Sequence, residues 1–262
     1  MIYIGGEIIY NKGIRNELDF ISKLNNKRVS NLDFLLQDMI YSLFPNTTGE
    51  SVVNCKKGNN YEKTDISISI NNSVKNISLK LGYRNSIHSE KVSSFSNFLY
   101  SIGIKKEIIY EILKYQYADG TIDGTGLKRI GVEEYKINNK KSIDRINTFI
   151  NNECVINKCI NRFLLQGTNE EYSVVDVLIC GTPEDFFYVT RDELYKYILD
   201  KINFKSSSIH FSCLIFQSLS RVLDYNPKTE YRRNWVQIKW YSIGDIMFEI
   251  LNERYVKNLK RC

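Results

Sequence analysis

Apolar and polar positions along the chain follow two rhythms. Leu18, Ile21 and Leu24 recur at helical spacing and predict a first helix over 14–25. Ser30 as N-cap, followed by Leu32, Leu35, Leu36, Met39, Ile40 and Leu43, predicts a second over 30–43, stopped by Pro45. Past the turn at Asn46-Thr47-Thr48-Gly49 the period falls to two. Val52-Val53 suggests a short strand, and 65–70 and 74–81 read as strands. Helical spacing returns over 89–101, 104–117 and 142–152, with a polar Gly-rich loop at 119–126. Strands are expected at 173–179 and 186–189, and Thr190 with Glu193 forms a capping box that opens a helix to about 200. A strand near 209–216, a turn at Tyr225-Asn226-Pro227-Lys228, a strand over 233–241 and a helix after Ser242 complete the series. The order predicts an α/β (α+β) fold, more strand-rich towards its C-terminus.

The two best-marked strands carry chemistry. Ile66, Ile68 and Ile70 share one face, opposite Asp65, Ser67 and Ser69; Ile77, Leu79 and Leu81 share a face, opposite Ser78 and Lys80. A two-residue turn at Asn72-Ser73 would pair 67 with 78 and 65 with 80, setting Asp65 directly across from Lys80. A one-residue slip would put apolar side chains opposite polar ones. The bland reading of such a pair is a cross-strand ion pair on a sheet surface. The chemical one is a carboxylate that holds a divalent cation beside a lysine that orients or deprotonates an attacking water.

Composition bounds the setting. The 262 residues include 36 basic and 30 acidic side chains, a net charge of +6 that suits a phosphate-backbone partner without requiring one. With 43% apolar and 13% aromatic residues the chain can build a substantial core, and only 3 prolines and no linker-like run predict that a second lobe docks on the first. The division expected is a core over 1–125 containing the hairpin 65–81, and a region over 126–262 that completes the sheet and recognises a partner. Six cysteines without metal-ligand spacing, no leader-like start and no membrane-length apolar window predict a reduced, cytoplasmic protein with no membrane association. The 119–126 loop lacks Gly-Lys-Ser/Thr, so no nucleotide cofactor is expected, and it lacks calcium-loop spacing.

Asn16-Glu17 in the first helix, Lys63-Thr64-Asp65-Ile66 opening one strand and Ser78-Leu79-Lys80 on the next resemble the PD-(D/E)xK nucleases, which include many type II restriction endonucleases. The resemblance covers roughly 14–100. It implies a restriction-endonuclease-like mixed central sheet flanked by helices, and a homodimer that cuts double-stranded DNA with Mg²⁺ (Mn²⁺ as substitute). By the same resemblance Asp65 ligates the metal, Lys80 serves the water and Glu17 supports the metal. The departure is Ser78, which stands where the family has Asp or Glu. A hydroxyl is a weak, neutral ligand beside a carboxylate. Glu17, Glu50, Glu62 and Glu90 are the candidates to replace the missing charge.

The polar stretch Gly82 to Glu90 reads as a loop leading into a helix. In it, His88, two residues before the candidate Glu90, could contact a phosphate, act in proton transfer or brace the loop, and Arg84, Ser86 and Ser89 suit a phosphate. Further on, Val236, Ile238 and Trp240 alternate with Arg233, Trp235, Gln237, Lys239 and Tyr241. The second set mixes guanidinium, amide, ammonium and aromatic groups suited to reading base edges, with Arg232 and Lys228 on phosphates. Two rivals remain: the same fold as a DNA-binding relic that no longer cleaves, and an unrelated interaction protein in which Asp65 and Lys80 are only an ion pair.

Overall fold

The computed structural model describes residues 4–59, 61–81, 86–218, 230–241 and 243–259, with side chains from 12 to 256. The chain forms two units that interleave along the sequence: Met1–Arg84, Leu164–Leu194 and Ser242–Cys262 in the first, and Asn85–Phe163 and Tyr195–Tyr241 in the second. Position 125 thus falls inside the second unit.

The first unit is a mixed six-stranded sheet with helices, an α/β arrangement. In space its strands run β1 (Lys27–Arg28), β2 (Val52–Lys57), β3 (Ile66–Ile70), β4 (Ser73–Lys80), β6 (Val177–Thr182) and β7 (Asp185–Thr190). Only β4 and β6 are parallel, so a long excursion of chain separates them, as a parallel pair requires. Helix α1 (Ile4–Leu24) lies against β2, β4 and β6, and α2 (Phe34–Leu43) against β7. Phe20, Leu24, Leu36, Met39 and Ile40 join Ile66, Ile68, Ile77 and Ile179 in one fully buried core. Alternation along β7 sends Phe186 and Tyr188 into this core and Phe187 to the other face, where it meets Phe248 of α9 (Ile243–Leu259) edge to face.

Two inward faces differ from the sequence pattern. Leu18 is 52% exposed and Leu35 42%. The stripe that packs in α1 is Asn16, Phe20 and Leu24, because the large Phe20 outweighs Leu18 in choosing the face. Ser30 lies in a 3₁₀ turn, Val29–Asn31, and α2 starts at Phe34 with Asp33 as N-cap.

The hairpin register also differs, by two residues. Ile66 pairs with Ile77, Ser67 with Asn76 and Ile70 with Ser73, so the turn is Asn71-Asn72 and the residue facing Asp65 is Ser78 rather than Lys80. A shift of two keeps every side chain on its face, so hydrophobic alternation cannot distinguish the two registers. Asn71 decides, taking the left-handed φ of 53° that asparagine tolerates and the turn needs.

The second unit holds an antiparallel four-stranded sheet ordered β5 (Ser86–Lys91), β10 (Trp235–Lys239), β9 (Leu214–Ser218) and β8 (His210–Phe211). The expected loop before residue 90 is therefore strand β5 over its described part. The expected strand at 209–216 is a hairpin whose corner, Ser212, has a φ of 53°. Around it are α3 (Val92–Ser101), α4 (Lys106–Tyr117), α5 (Val132–Asn138), α6 (Lys140–Ile150) and α7 (Glu153–Ile160), while α8 (Arg191–Asp200) runs from the first unit into the second. Its core is aromatic: Phe95 lies within ring-contact distance of Phe163, Phe211 and Phe216. Among the described residues no helix is long and apolar enough to cross a membrane.

Candidate active site

Asp65 is fixed by its backbone before its side chain does anything. Its N–H donates to Ile77 O at 2.9 Å and its carbonyl accepts from Gly58 N at 2.8 Å, tying it between β2 and β4. Gly58 is required there, since a Cβ would lie 2.0 Å from Thr64 O. One carboxylate oxygen, Oδ2, accepts from Leu79 N at 2.6 Å and from Ser78 Oγ at 3.1 Å. Lys80 Nζ stands 3.7 Å from the same oxygen, an ion pair beyond hydrogen-bond length, and donates to Ser78 Oγ at 2.8 Å and Leu79 O at 3.2 Å. Ser78 has no exposed surface and links Asp65 to Lys80.

Glu17 comes to the same place from α1, one turn before Phe20 on the packed side. Its Oε2 pairs with Lys57 Nζ at 3.2 Å. Burial pushes the Glu17 carboxyl above its ordinary 4.5; Lys57 opposes this through its hydrogen bond, the Asp65 carboxylate adds to it, and the charges of Lys57 and Lys80 counter it. The four groups therefore form one electrostatic cluster of two carboxylates and two ammonium groups. Lys57 was not among the sequence candidates. It shares the parity of the buried Val53 and Cys55 in β2 but is itself exposed, so alternation alone gave no sign of it. Beside Glu17, the buried Asn16 donates from Nδ2 to Gly181 O at 3.0 Å, fixing α1 to β6.

The other described candidates have partners of their own. Glu50 pairs with Arg28 at 2.8 Å, well exposed, and Glu62 accepts from Ser173 Oγ at 2.6 Å. His88 and Glu90 belong to the second unit and are buried. Glu90 accepts from Arg162 through both oxygens at 3.0 and 2.6 Å, from Ser94 Oγ at 2.7 Å, and bonds His88 Nε2 at 3.0 Å. Although burial raises it, hydrogen bonds from His88 and Arg162, the charge of His88 and the Ser94 hydroxyl bring the Glu90 carboxyl down to about 2. Arg162, which also lies over the Phe98 ring at 4.5 Å, had no sequence signal. Arg84 and Lys228 lie outside the described residues.

In the second sheet Val236, Ile238 and Trp240 are buried, as alternation predicts. Trp235, Gln237 and Lys239 point to the opposite face, where Gln237 Nε2 donates to Ser86 Oγ at 2.6 Å. Arg232 and Arg233 fall in a 3₁₀ turn, Glu230–Asn234, rather than in the strand. Arg233 is committed to Asp119 at 2.8 Å and Glu230 at 3.2 Å, so the Gly-rich loop at 119–126 braces this turn.

Comparison with known proteins adds little. No family model matches the chain, and no curated protein does. Among solved structures the chain is similar to the restriction endonuclease MspI, determined in complex with its cognate DNA, at 15% identity and a TM-score of 0.45 over 78% of this chain and 76% of that one.

Proposed function

We propose that the first unit carries a divalent-metal-dependent endonuclease site that hydrolyses phosphodiester bonds in double-stranded DNA, in the manner of a type II restriction enzyme. The observation that carries this reading is the convergence of Asp65, Glu17, Lys80 and Lys57 on one cluster, built from two strands, the segment before β3, and one helix. A half-buried carboxylate pushed up by burial and by a second carboxylate favours a cation at that place. Among the described residues no third His, Cys, Asp or Glu joins the pair. Two carboxylates nonetheless fit Mg²⁺, which takes one or two such ligands and otherwise keeps water and substrate oxygens. Asp65 and Glu17 would hold it, with Mn²⁺ as substitute. When bound it offsets phosphate charge and makes bound water more acidic.

The residues of the chain then have distinct tasks. Lys80, held by Ser78 and the Leu79 carbonyl, keeps an ammonium group beside Asp65, where it orients the attacking water and faces the anionic phosphate. Lys57 opposes the rise that burial imposes on the Glu17 carboxyl. In the second unit Ser86, Gln237 and Lys239 offer a polar sheet face to DNA, with Arg232 at its edge. Two copies of the chain would cut the two strands of a symmetric site.

Ser78 favours a second reading, a DNA-binding protein that no longer cuts, because a neutral hydroxyl stands between Asp65 and Lys80. Plasmid DNA incubated with Mg²⁺ or Mn²⁺ separates the two. Discrete fragments that disappear in both Asp65→Ala and Lys80→Ala support the nuclease. DNA binding without cutting supports the inactive form, and neither outcome leaves an ion pair with no nucleic-acid role.

A further inference from the structure

Within the second unit a cavity of about 650 Å³ opens between α6 and the segment 202–210, a volume in the range of small-molecule sites. Its wall is set in advance. Asn147 donates to Ser208 O at 3.1 Å and accepts from His210 N at 3.1 Å; Asn151 donates to His210 O at 2.9 Å and accepts from Ser212 N. These amides are spent on the backbone of 208–212 and fix its path.

The groups left facing the cavity differ in kind. His210 is 3% exposed, and its Nδ1 bonds the carbonyl oxygen of Ser212 at 2.9 Å. A carbonyl only accepts, so Nδ1 carries the proton. Burial holds the imidazole below its ordinary range, against the Ser212 bond, so the ring is neutral and Nε2 is an acceptor. Among the described residues Nε2 has no partner, and it is not among the polar atoms sealed away from water without one. His210 lines the cavity, so this acceptor is the buried polar atom that a ligand there would meet. Phe204, 41% exposed, sets its ring edge-to-face with His210 at 5.5 Å and offers an apolar plane at the mouth. Lys140 and Lys205 are exposed on the rim and have no carboxylate partner among the described residues. Asp144 is the one acidic lining residue, so the cavity is positive by one charge with His210 neutral.

A buried acceptor, an aromatic plane and two ammonium groups call for a ligand with an N–H donor on a flat ring and an anionic group a few ångströms away. We propose that this cavity binds a nucleoside monophosphate, with the base on Phe204 and an N–H donated to His210 Nε2, and the phosphate on Lys140 and Lys205. Nothing in this depends on the Asp65 site. The absence of a P-loop motif bears on triphosphate binding and not on a site of this kind.

Calorimetric titration of the full chain, without divalent metal, tests it. The probes are AMP, GMP, CMP and UMP, then adenosine and inorganic phosphate, and last a deoxyhexanucleotide. Each mononucleotide that binds is expected to do so one to one, with adenosine and phosphate at least tenfold weaker. Lys140→Ala with Lys205→Ala, both surface changes that spare the fold, is expected to weaken mononucleotides at least tenfold and leave adenosine unchanged. Phe204→Ala is expected to weaken both. The imidazole ¹⁵N resonances of His210 should move at Nε2 and not at Nδ1. Tighter binding of the hexanucleotide with the same lysine dependence would identify the source as a strand rather than free nucleotide, with the site chemistry intact. Asp65→Ala should leave every affinity unchanged, which separates this site from the proposed nuclease centre. The proposal is overturned by no saturation at millimolar nucleotide, by phosphate alone binding as tightly, or by binding indifferent to the lysine changes.

Discussion

The buried carboxylate Glu90 allows a stability prediction that can be worked through in numbers. It is 4% exposed and receives bonds from Arg162, Ser94 and His88. A carboxyl that titrates near 2 instead of at the ordinary 4.5 favours its ionised form in the folded state by about 3 kcal/mol, at about 1.4 kcal/mol per tenfold. Removing one partner of a buried ion pair costs about 3–5 kcal/mol on independent grounds, because the other charge is left unmatched. Glu90→Gln is nearly isosteric, so it removes charge and leaves packing in place. The sign follows from the lowered value: the stabilisation is complete above pH 4.5 and is lost as pH falls towards 2. At pH 3 about half of it should remain. The chain has 2 tryptophans, Trp235 and Trp240, both in the second unit, so urea unfolding followed by tryptophan fluorescence reads that unit. The expected gap between wild type and Glu90→Gln is about 3 kcal/mol at pH 7, shrinking to roughly half at pH 3. A gap below about 1 kcal/mol at pH 7 would refute the charge argument. So would an equal gap at both pH values, which would mean that shape rather than charge was lost.

Three further outcomes follow from the structure. Lys57→Met should raise the Glu17 carboxyl further, as followed by ¹³C NMR of the side chain. Because that carboxyl already titrates above 4.5, the folded state loses stability as pH rises from 4.5 through the folded value, and the substitution should widen that window; an unchanged Glu17 titration would break the link between the two residues. Ser78→Asp adds a third carboxylate beside Asp65 and should tighten Mn²⁺ binding at least tenfold in calorimetry, whereas unchanged affinity would place the ion elsewhere. Ala118 ends α4 in a left-handed conformation, φ 51°, so Ala118→Gly should stabilise the second unit by up to about 1 kcal/mol, read by the same fluorescence unfolding.

The limits of sequence reading show in particular residues. The Thr190–Glu193 capping box is present as drawn, with Glu193 accepting from Thr190 N at 2.8 Å, since capping is a local matter of four residues. Glu193 does a second task that no local pattern shows, taking Arg254 of α9 at 2.7 Å through each oxygen. The helices at 132–138 and 153–160 were missed. Each is only about two turns long, too short for periodicity to stand out, and each is held by its surroundings. His88, one of 2 histidines, and Glu90 follow closely after the hairpin in the sequence, yet the chain leaves the first unit between them and Asp65.

By itself the sequence determined which side chains share a face. Alternation placed Asp65, Ser78 and Lys80 on the polar side of a hairpin whose other side is isoleucine, and it placed Val236, Ile238 and Trp240 inward, because a strand's period of two depends on nothing beyond the strand. Only the tertiary structure decided what those faces meet. The register came from one asparagine at a turn. Glu17 came within the electrostatic reach of Asp65 because Phe20 and Leu24 bury α1 against the sheet. The partner of Glu90 came from 72 residues away. The last two rest on long-range packing, whose free energy is spread over many apolar contacts and leaves no local pattern to read, whereas the register is a local choice that alternation alone cannot make.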